Sequence, residues 1–425
     1  MEDTLEAWIN RDSNSIARRY RFPSLMIKKA AGIYLVDVNN KRYLDFTSGG
    51  QTANLGHSHP FIISAVESQL EKTGVAPLGW ILNDVRIQLA ETLKKVAPGR
   101  DRRVGFCNTG SDATELAWRI AAEHTSRPMA ICHFGCYHGQ TSMGALAMNT
   151  SPDGRNYGVP QVSGVFYTPY PYCFRCLFKL NSSECGFACL DFFEYQLNTR
   201  VIPEERVCAF FFEPIQVHGG VIPLPDGYLR RLADLCHSRG ILLVADEVTT
   251  GFGRTGRMFG VEHWNVDVDI IYMAKSMASG LSLGAVLAER DIMSSFRGGG
   301  TFSGNPVACA ASLASISVIQ EKKLLEHSTK SGEYLKKRLA ELTPVNCSIG
   351  EIRGKGLLLG IELILGDGLP AKEETRRIIE TSAKEGLLMF PAGAYQNVIR
   401  LCPPLTIEME EIDDAITIIE CAFKE

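Results

Sequence analysis

Short apolar runs recur through the first two thirds of this chain, and each stops where a polar or chemically active residue begins. They are Arg103 to Cys107, Met129 to His133, Val207 to Phe212, Ile241 to Ala245, Ile270 to Met273 and Gly284 to Ala288. Runs this short and this apolar suit strands buried on both faces. Residues 61–73 and 84–96 have amphipathic helical spacing, the second ending at Pro98-Gly99, and 112–124 and 227–239 are helical stretches between runs. Strands and helices alternating in this way predict an α/β fold with a mostly parallel central sheet covered on both sides. After about residue 310 the pattern changes to helices over 306–342, a strand-like Gly356 to Leu363, and helices over 370–386 and 408–423. The expected division is a large domain over 61–310 and a smaller α+β domain over 311–425, joined by the N-terminal segment 1–60.

The 425 residues suffice for a large core without disulfide or metal staples. A net charge of −4 gives no basic field for nucleic acid or a membrane surface. No apolar run approaches the roughly 18 residues that span a bilayer. The acidic start, Met1 to Glu6, lacks a signal core. Thirteen cysteines, an odd number scattered from Cys107 to Cys421, read as free thiols of a reducing compartment. The expectation is a cytoplasmic protein.

Ligands of open parallel sheets bind beyond the carboxyl ends of the strands. The residues there are Asn108-Thr109-Gly110-Ser111 before a helix, Tyr137-His138-Gly139, Glu213-Pro214, Asp246-Glu247 and Lys275. Each has an ordinary alternative: a helix N-cap, a half-buried aromatic, a loop cap at Glu213, a structural salt bridge at Asp246. Lys275 ends an apolar run, where an ammonium must be paired or lose its charge. Together they suit a flat phosphorylated ring. A helix start binds phosphate, an aromatic ring stacks, a carboxylate pairs with a ring nitrogen and a lysine forms an imine. That describes pyridoxal 5′-phosphate.

The chain also resembles the class III aminotransferases of fold type I. The likeness rests on Phe46-Thr47-Ser48-Gly49 through Gly56-His57-Ser58-His59-Pro60, Asn108 to Glu115, Tyr137-His138-Gly139, Glu213-Pro214-Ile215-Gln216 and Asp246-Glu247-Val248. It continues with Gly251 to Gly256, Ala274-Lys275-Ser276, Gly300 to Pro306, Arg353 to Gly356, and Arg400 before Pro403-Pro404-Leu405. The resemblance implies an amino-group transfer between an amino acid or amine and a 2-oxo acid. It makes Lys275 the Schiff-base lysine, Asp246 the ring-nitrogen partner, Tyr137 the stacking aromatic and Val248 the residue beneath the ring. Gly110 and Ser111 match the phosphate cradle, and His138, Glu213 and Thr249 belong to the same cofactor site. Thr301 matches a phosphate ligand given to the other subunit, which implies a homodimer. Arg400 resembles the arginine that grips substrate carboxylate, with Gly50, Gln51, Gln216 and His218 around it.

Departures from the family bear on substrate. Relatives acting on 4-aminobutyrate or ornithine often carry a glutamate at the place of His218, and Thr249 stands where glutamine is frequent. Gly50 replaces a common aliphatic residue, which should enlarge the pocket. Leu224 to Tyr228 and Phe46 to Gly49 resemble dialkylglycine decarboxylase, but its pocket glutamine is not reproduced at Gly50 and its stacking tryptophan is Tyr137. Some relatives are amino-acid racemases. Decarboxylation-dependent transamination and racemisation therefore stay open beside simple transamination.

Other signals carry less. Gly251 to Gly256 matches GxGxxG, the basis of a rival reading as a nicotinamide dehydrogenase, but Asp246-Glu247 intervene and no clear amphipathic helix follows. Gly280 to Gly284 matches GxSxG, yet a strand-like run follows the serine. His57 and His59 have no evident third metal ligand. Retention of Lys275, Asp246 and Thr301 argues against a non-catalytic binding protein on the same scaffold. Cys173, Cys176, Cys185 and Cys189 form C-x2-C-x8-C-x3-C, a loose match to structural zinc sites in what reads as an insertion; free thiols are the other reading.

Overall fold

The computed structural model describes residues 5–17, 25–74, 81–99, 101–151, 162–294, 296 and 298–425. Residues 1–4 of the acidic start lie outside this range. The apolar runs form one sheet of seven strands. In order across the sheet these are Arg102–Cys107, Gly284–Glu289, Ile270–Met273, Leu242–Asp246, Val207–Phe212, Met129–His133 and Val165–Thr168. Gly284–Glu289 runs antiparallel to both neighbours, and the remaining neighbouring pairs are parallel.

Burial explains the composition. Val207–Phe212 is buried at every position, and so is Ile270–Met273. Phe210, Phe211 and Phe212 are inaccessible, their rings filling the layers between sheet and helices. The strand order then positions the chemistry. Four adjacent strands end in turn near Lys275, Asp246, Glu213 and Tyr137, so residues far apart in sequence share one edge.

The helix Gly110–Thr125 starts at that edge. Thr109 Oγ1 accepts from the Asp112 amide at 3.1 Å, and the Asp112 carboxylate accepts from the Thr109 amide at 3.1 Å. This reciprocal cap fixes where the helix begins. Helices Pro60–Thr73 and Asp84–Val96 pack against Pro306–Glu321.

Two four-stranded sheets and a two-stranded pairing of Ile215–Gln216 with Ile222–Pro223 complete the fold among the described residues. One pairs Ile27–Ala31, Tyr34–Asp37 and Arg42–Asp45, with Leu387–Leu388 added in parallel to the last. The other contains Ser348–Lys355, Leu358–Ile364, Val398–Leu401 and Phe390–Ala392. The N-terminal strands thus pair directly with a C-terminal one. Among the described residues, no helix is long and apolar enough to cross a membrane.

Candidate active site

A cavity of about 230 Å³ opens at the shared strand edge. Gly110, Ser111, Tyr137, His138, Glu213, His218, Asp246, Val248, Thr249 and Lys275 all line it.

Lys275 follows the buried strand Ile270–Met273 and has φ +44°, the left-handed region that a lysine rarely occupies. Its Nζ donates to Thr249 Oγ1 at 2.8 Å and to Gln51 Oε1 at 2.9 Å. Burial, helped by the Arg400 charge, pulls its pKa down to about 8. Gln51 comes from a tight turn whose residues Ser48, Gly49, Gly50 and Gln51 all have positive φ. Its carbonyl accepts from Ser276 Oγ at 2.9 Å, which ties that turn to the lysine segment.

Asp246 is 5% exposed. Its Oδ2 accepts from Tyr272 Oη at 2.6 Å and faces His138 Nδ1 at 2.8 Å, while Oδ1 accepts from the Val248 amide at 2.9 Å. Burial opposes a charge on His138, but neighbouring Cys136 and the bonded Asp246 outweigh it and hold the imidazole pKa well above its ordinary value. Glu213 bridges two cavity loops: Oε1 accepts from the Tyr137 amide and Oε2 from the Val217 amide, both at 3.0 Å. Burial pushes its pKa up to about 8. Glu213 thus has the loop-bracing role that was its ordinary reading, and it also faces the cavity.

The residues fit pyridoxal 5′-phosphate. The first amides of a helix have no intrahelical acceptor, and here those of Gly110 and Ser111 stand at the cavity wall. Ser111 Oγ accepts from the Gln140 amide at 3.1 Å. The opposing loop approaches so closely that a Cβ on Gly139 would lie 2.3 Å from Ser111 Oγ, and Gly139 has φ +122°. The cradle is therefore built from backbone. Tyr137 and Val248 supply apolar walls, Asp246 a buried carboxylate and Lys275 a weakly basic amine.

Other expected residues fall elsewhere. Gln216 does not line the cavity; its Nε2 donates to Phe134 O at 2.8 Å and braces the loop below. Gly50 does not line it either. Its φ of +74° accounts for the glycine, and a Cβ there would have no atom within 4 Å. Thr301 is exposed and does not line its own chain's cavity. Arg400 is buried with its guanidinium 5.5 Å from the Phe390 ring, close enough to act on Lys275. The His218 ring stacks on Tyr137 at 4.1 Å.

Sequence reasoning missed Thr250, Gln140 and Thr141 in the lining, and Tyr272 behind it. Gln140 and Thr141 directly follow the Tyr-His-Gly motif, and that adjacency was the available signal. His57 is explained by Asp45, 2.8 Å away. The four clustered cysteines line one small cavity of about 30 Å³. Among the described residues, no three histidines, cysteines, aspartates or glutamates are arranged to hold a metal ion.

Residues 15–423 match the family model of class-III aminotransferases. The chain is 36% identical to an alanine/serine racemase of Pyrococcus horikoshii over 95% of this chain and 86% of that one. It is 32% identical to a 5-aminovalerate aminotransferase of Pseudomonas putida, covering 100% of both. An amine transaminase from an uncultivated Pseudomonas species, solved in its pyridoxal-phosphate-bound form, superposes with a TM-score of 0.88 at 30% identity, covering 96% of each chain. Motif order, strand-end chemistry and these likenesses agree: the chain belongs to the class-III aminotransferases and is a pyridoxal 5′-phosphate-dependent enzyme.

Proposed function

We propose that the cavity at the sheet edge transfers an amino group from an α-amino acid to a 2-oxo acid, with Lys275 as the residue that carries the proton. The observation supporting this most is Lys275 itself, a buried amine with pKa about 8 in the same cavity as Asp246 and a helix start. When bound, pyridoxal 5′-phosphate supplies an aldehyde and an electron-withdrawing ring. The Gly110 and Ser111 amides hold its phosphate. Asp246, backed by His138, would pair with the ring nitrogen and favour its protonated form. Tyr137 and Val248 hold the ring plane. Lys275 would hold the cofactor's aldehyde and, as a buried amine, take and return the proton of the substrate carbon. Arg400 binds the substrate carboxylate, with His218 on Tyr137 shaping the pocket beside it. The absence of a glutamate at position 218 favours substrates that keep an α-carboxylate in both halves of the reaction.

The active unit is a homodimer in which Thr301 serves the partner's phosphate site. Support comes from its exposure beside Phe302, 63% exposed, and from the apolar Phe61 and Leu82 that this monomer leaves on its surface. Its free cysteines support a reducing compartment, the cytoplasm.

A second reading is racemisation, favoured by the 36% identity to an alanine/serine racemase. There the proton returns to the substrate carbon on its opposite face. One experiment separates the two: incubate holoenzyme with single amino acids and no oxo acid. Pyridoxamine phosphate with a stoichiometric 2-oxo acid of unchanged carbon count supports transfer. Inversion with solvent-hydrogen uptake and an unchanged cofactor supports racemisation. Release of carbon dioxide would support the decarboxylating alternative.

A further inference from the structure

We infer that Tyr272 is a positioning residue for the cofactor's ring nitrogen, acting through Asp246; the inference rests on the pyridoxal phosphate reading above. Tyr272 and Asp246 sit opposite each other on neighbouring parallel strands, in one register. Side chains at paired positions point to the same face of a sheet, so the tyrosine lies beside the carboxylate by construction. Tyr272 is fully buried, and its hydroxyl is 2.6 Å from Asp246 Oδ2 and 2.8 Å from His138 Nδ1.

The directions of these bonds follow from chemistry. An ionised carboxylate only accepts, so the phenol donates to Oδ2. His138 Nδ1 stands 2.8 Å from the same oxygen, where two lone pairs would repel, so Nδ1 carries a hydrogen and also donates to Oδ2. The Val248 amide donates to Oδ1. Three donors from three segments thus fix the carboxylate in rotation. Two of them share one oxygen. Burial and the Asp246 charge raise the Tyr272 pKa well above its ordinary value, so the phenol keeps the hydrogen it donates.

A carboxylate so held presents a fixed negative charge to the cavity it lines. A protonated ring nitrogen gains from that charge; a ring without the nitrogen does not. Tyr272 therefore acts selectively on ligands that carry the nitrogen, which a purely structural tyrosine would not do.

The test compares cofactor-free wild type with Tyr272→Phe, which deletes the hydroxyl and keeps the ring. Affinity is measured for pyridoxal 5′-phosphate and for its 1-deaza analogue, in which carbon replaces the ring nitrogen. Tyr228→Phe is the control. It removes an equally buried hydroxyl, bonded to His133 at 3.1 Å, that touches none of the site. We expect Tyr272→Phe to weaken pyridoxal phosphate binding about tenfold, leave the deaza analogue unchanged, and lower kcat more than it raises KM. Tyr228→Phe should leave both affinities at wild-type values. Equal weakening of both ligands, or of neither, overturns the inference. Failure of wild type to bind pyridoxal phosphate at all would instead overturn the reading on which it rests.

Discussion

Lys275 holds an unusual backbone conformation and an unusual acidity at once. Left-handed φ at a non-glycine residue persists only where the surroundings enforce it, and such residues gather at functional sites. Here Gln51 and Thr249 receive its amine, and Ser276 anchors the same segment. Because its pKa is lowered to about 8 from 10.5, the neutral amine that captures an aldehyde becomes available as pH rises through about 8. The rate of pyridoxal phosphate capture by cofactor-free enzyme should therefore rise with a midpoint near pH 8. A midpoint near 10.5, read by stopped-flow absorbance, would contradict the burial argument. Asp246→Asn removes the buried charge while keeping the shape. It should lower kcat roughly 100-fold, the scale of losing one preorganised electrostatic contact, with little change in folding. Steady-state kinetics alongside a thermal melt checks both halves of that statement. Lys275 and Asp246 were legible from sequence because each ends an apolar run. Tyr272 was not, because a tyrosine inside a buried strand looks like packing until the strand beside it is known.

At the scale of elements, the site depends on how closely a loop approaches a helix start. Gly139 has φ +122° and no room for a Cβ against Ser111. Gly139→Ala should push the 137–141 loop off the cradle and lower the rate of order 100-fold, as misplacement by about an ångström does. The affinity for cofactor should fall with it, while circular dichroism stays unchanged. Core strands carry stability instead. Phe211→Ala, in the fully buried Val207–Phe212, should cost about 3–5 kcal/mol in denaturant unfolding. These central strands were read correctly because burial on both faces leaves a continuous apolar run. Val165–Thr168, at the sheet edge and only half buried, gave no such run, and neither did Ser348–Lys355, where buried Arg353 interrupts the pattern. That arginine is paired with the inaccessible Glu362 at 2.6 Å, a partner 9 residues away that no local pattern reveals.

At the scale of the whole molecule, the strand order converts separated motifs into one edge, and the small sheets tie the two chain ends together. Strand Arg42–Asp45 pairs with Leu387–Leu388, joining an N-terminal strand to a C-terminal one. The same pairing brings the 48–51 turn, and with it Gln51, to the lysine. Arg400 arrives from a different small sheet, on strand Val398–Leu401. The proposed dimer makes its own prediction. Thr301→Ala should weaken phosphate binding although Thr301 does not line its own cavity. Mixed dimers of Thr301→Ala and Lys275→Ala subunits should carry one site with both residues intact beside one site lacking both, and so regain activity and cofactor affinity that neither parent dimer has. Activity of the Thr301→Ala protein independent of pyridoxal phosphate concentration would contradict this.

The central claim is that Lys275 holds the cofactor in this cavity. Borohydride reduction of the purified holoenzyme, followed by peptide mass spectrometry, tests it directly. Pyridoxyl phosphate should be fixed to Lys275 alone and be absent from Lys275→Ala. Modification of a different lysine, or none in protein saturated with pyridoxal phosphate, would contradict it.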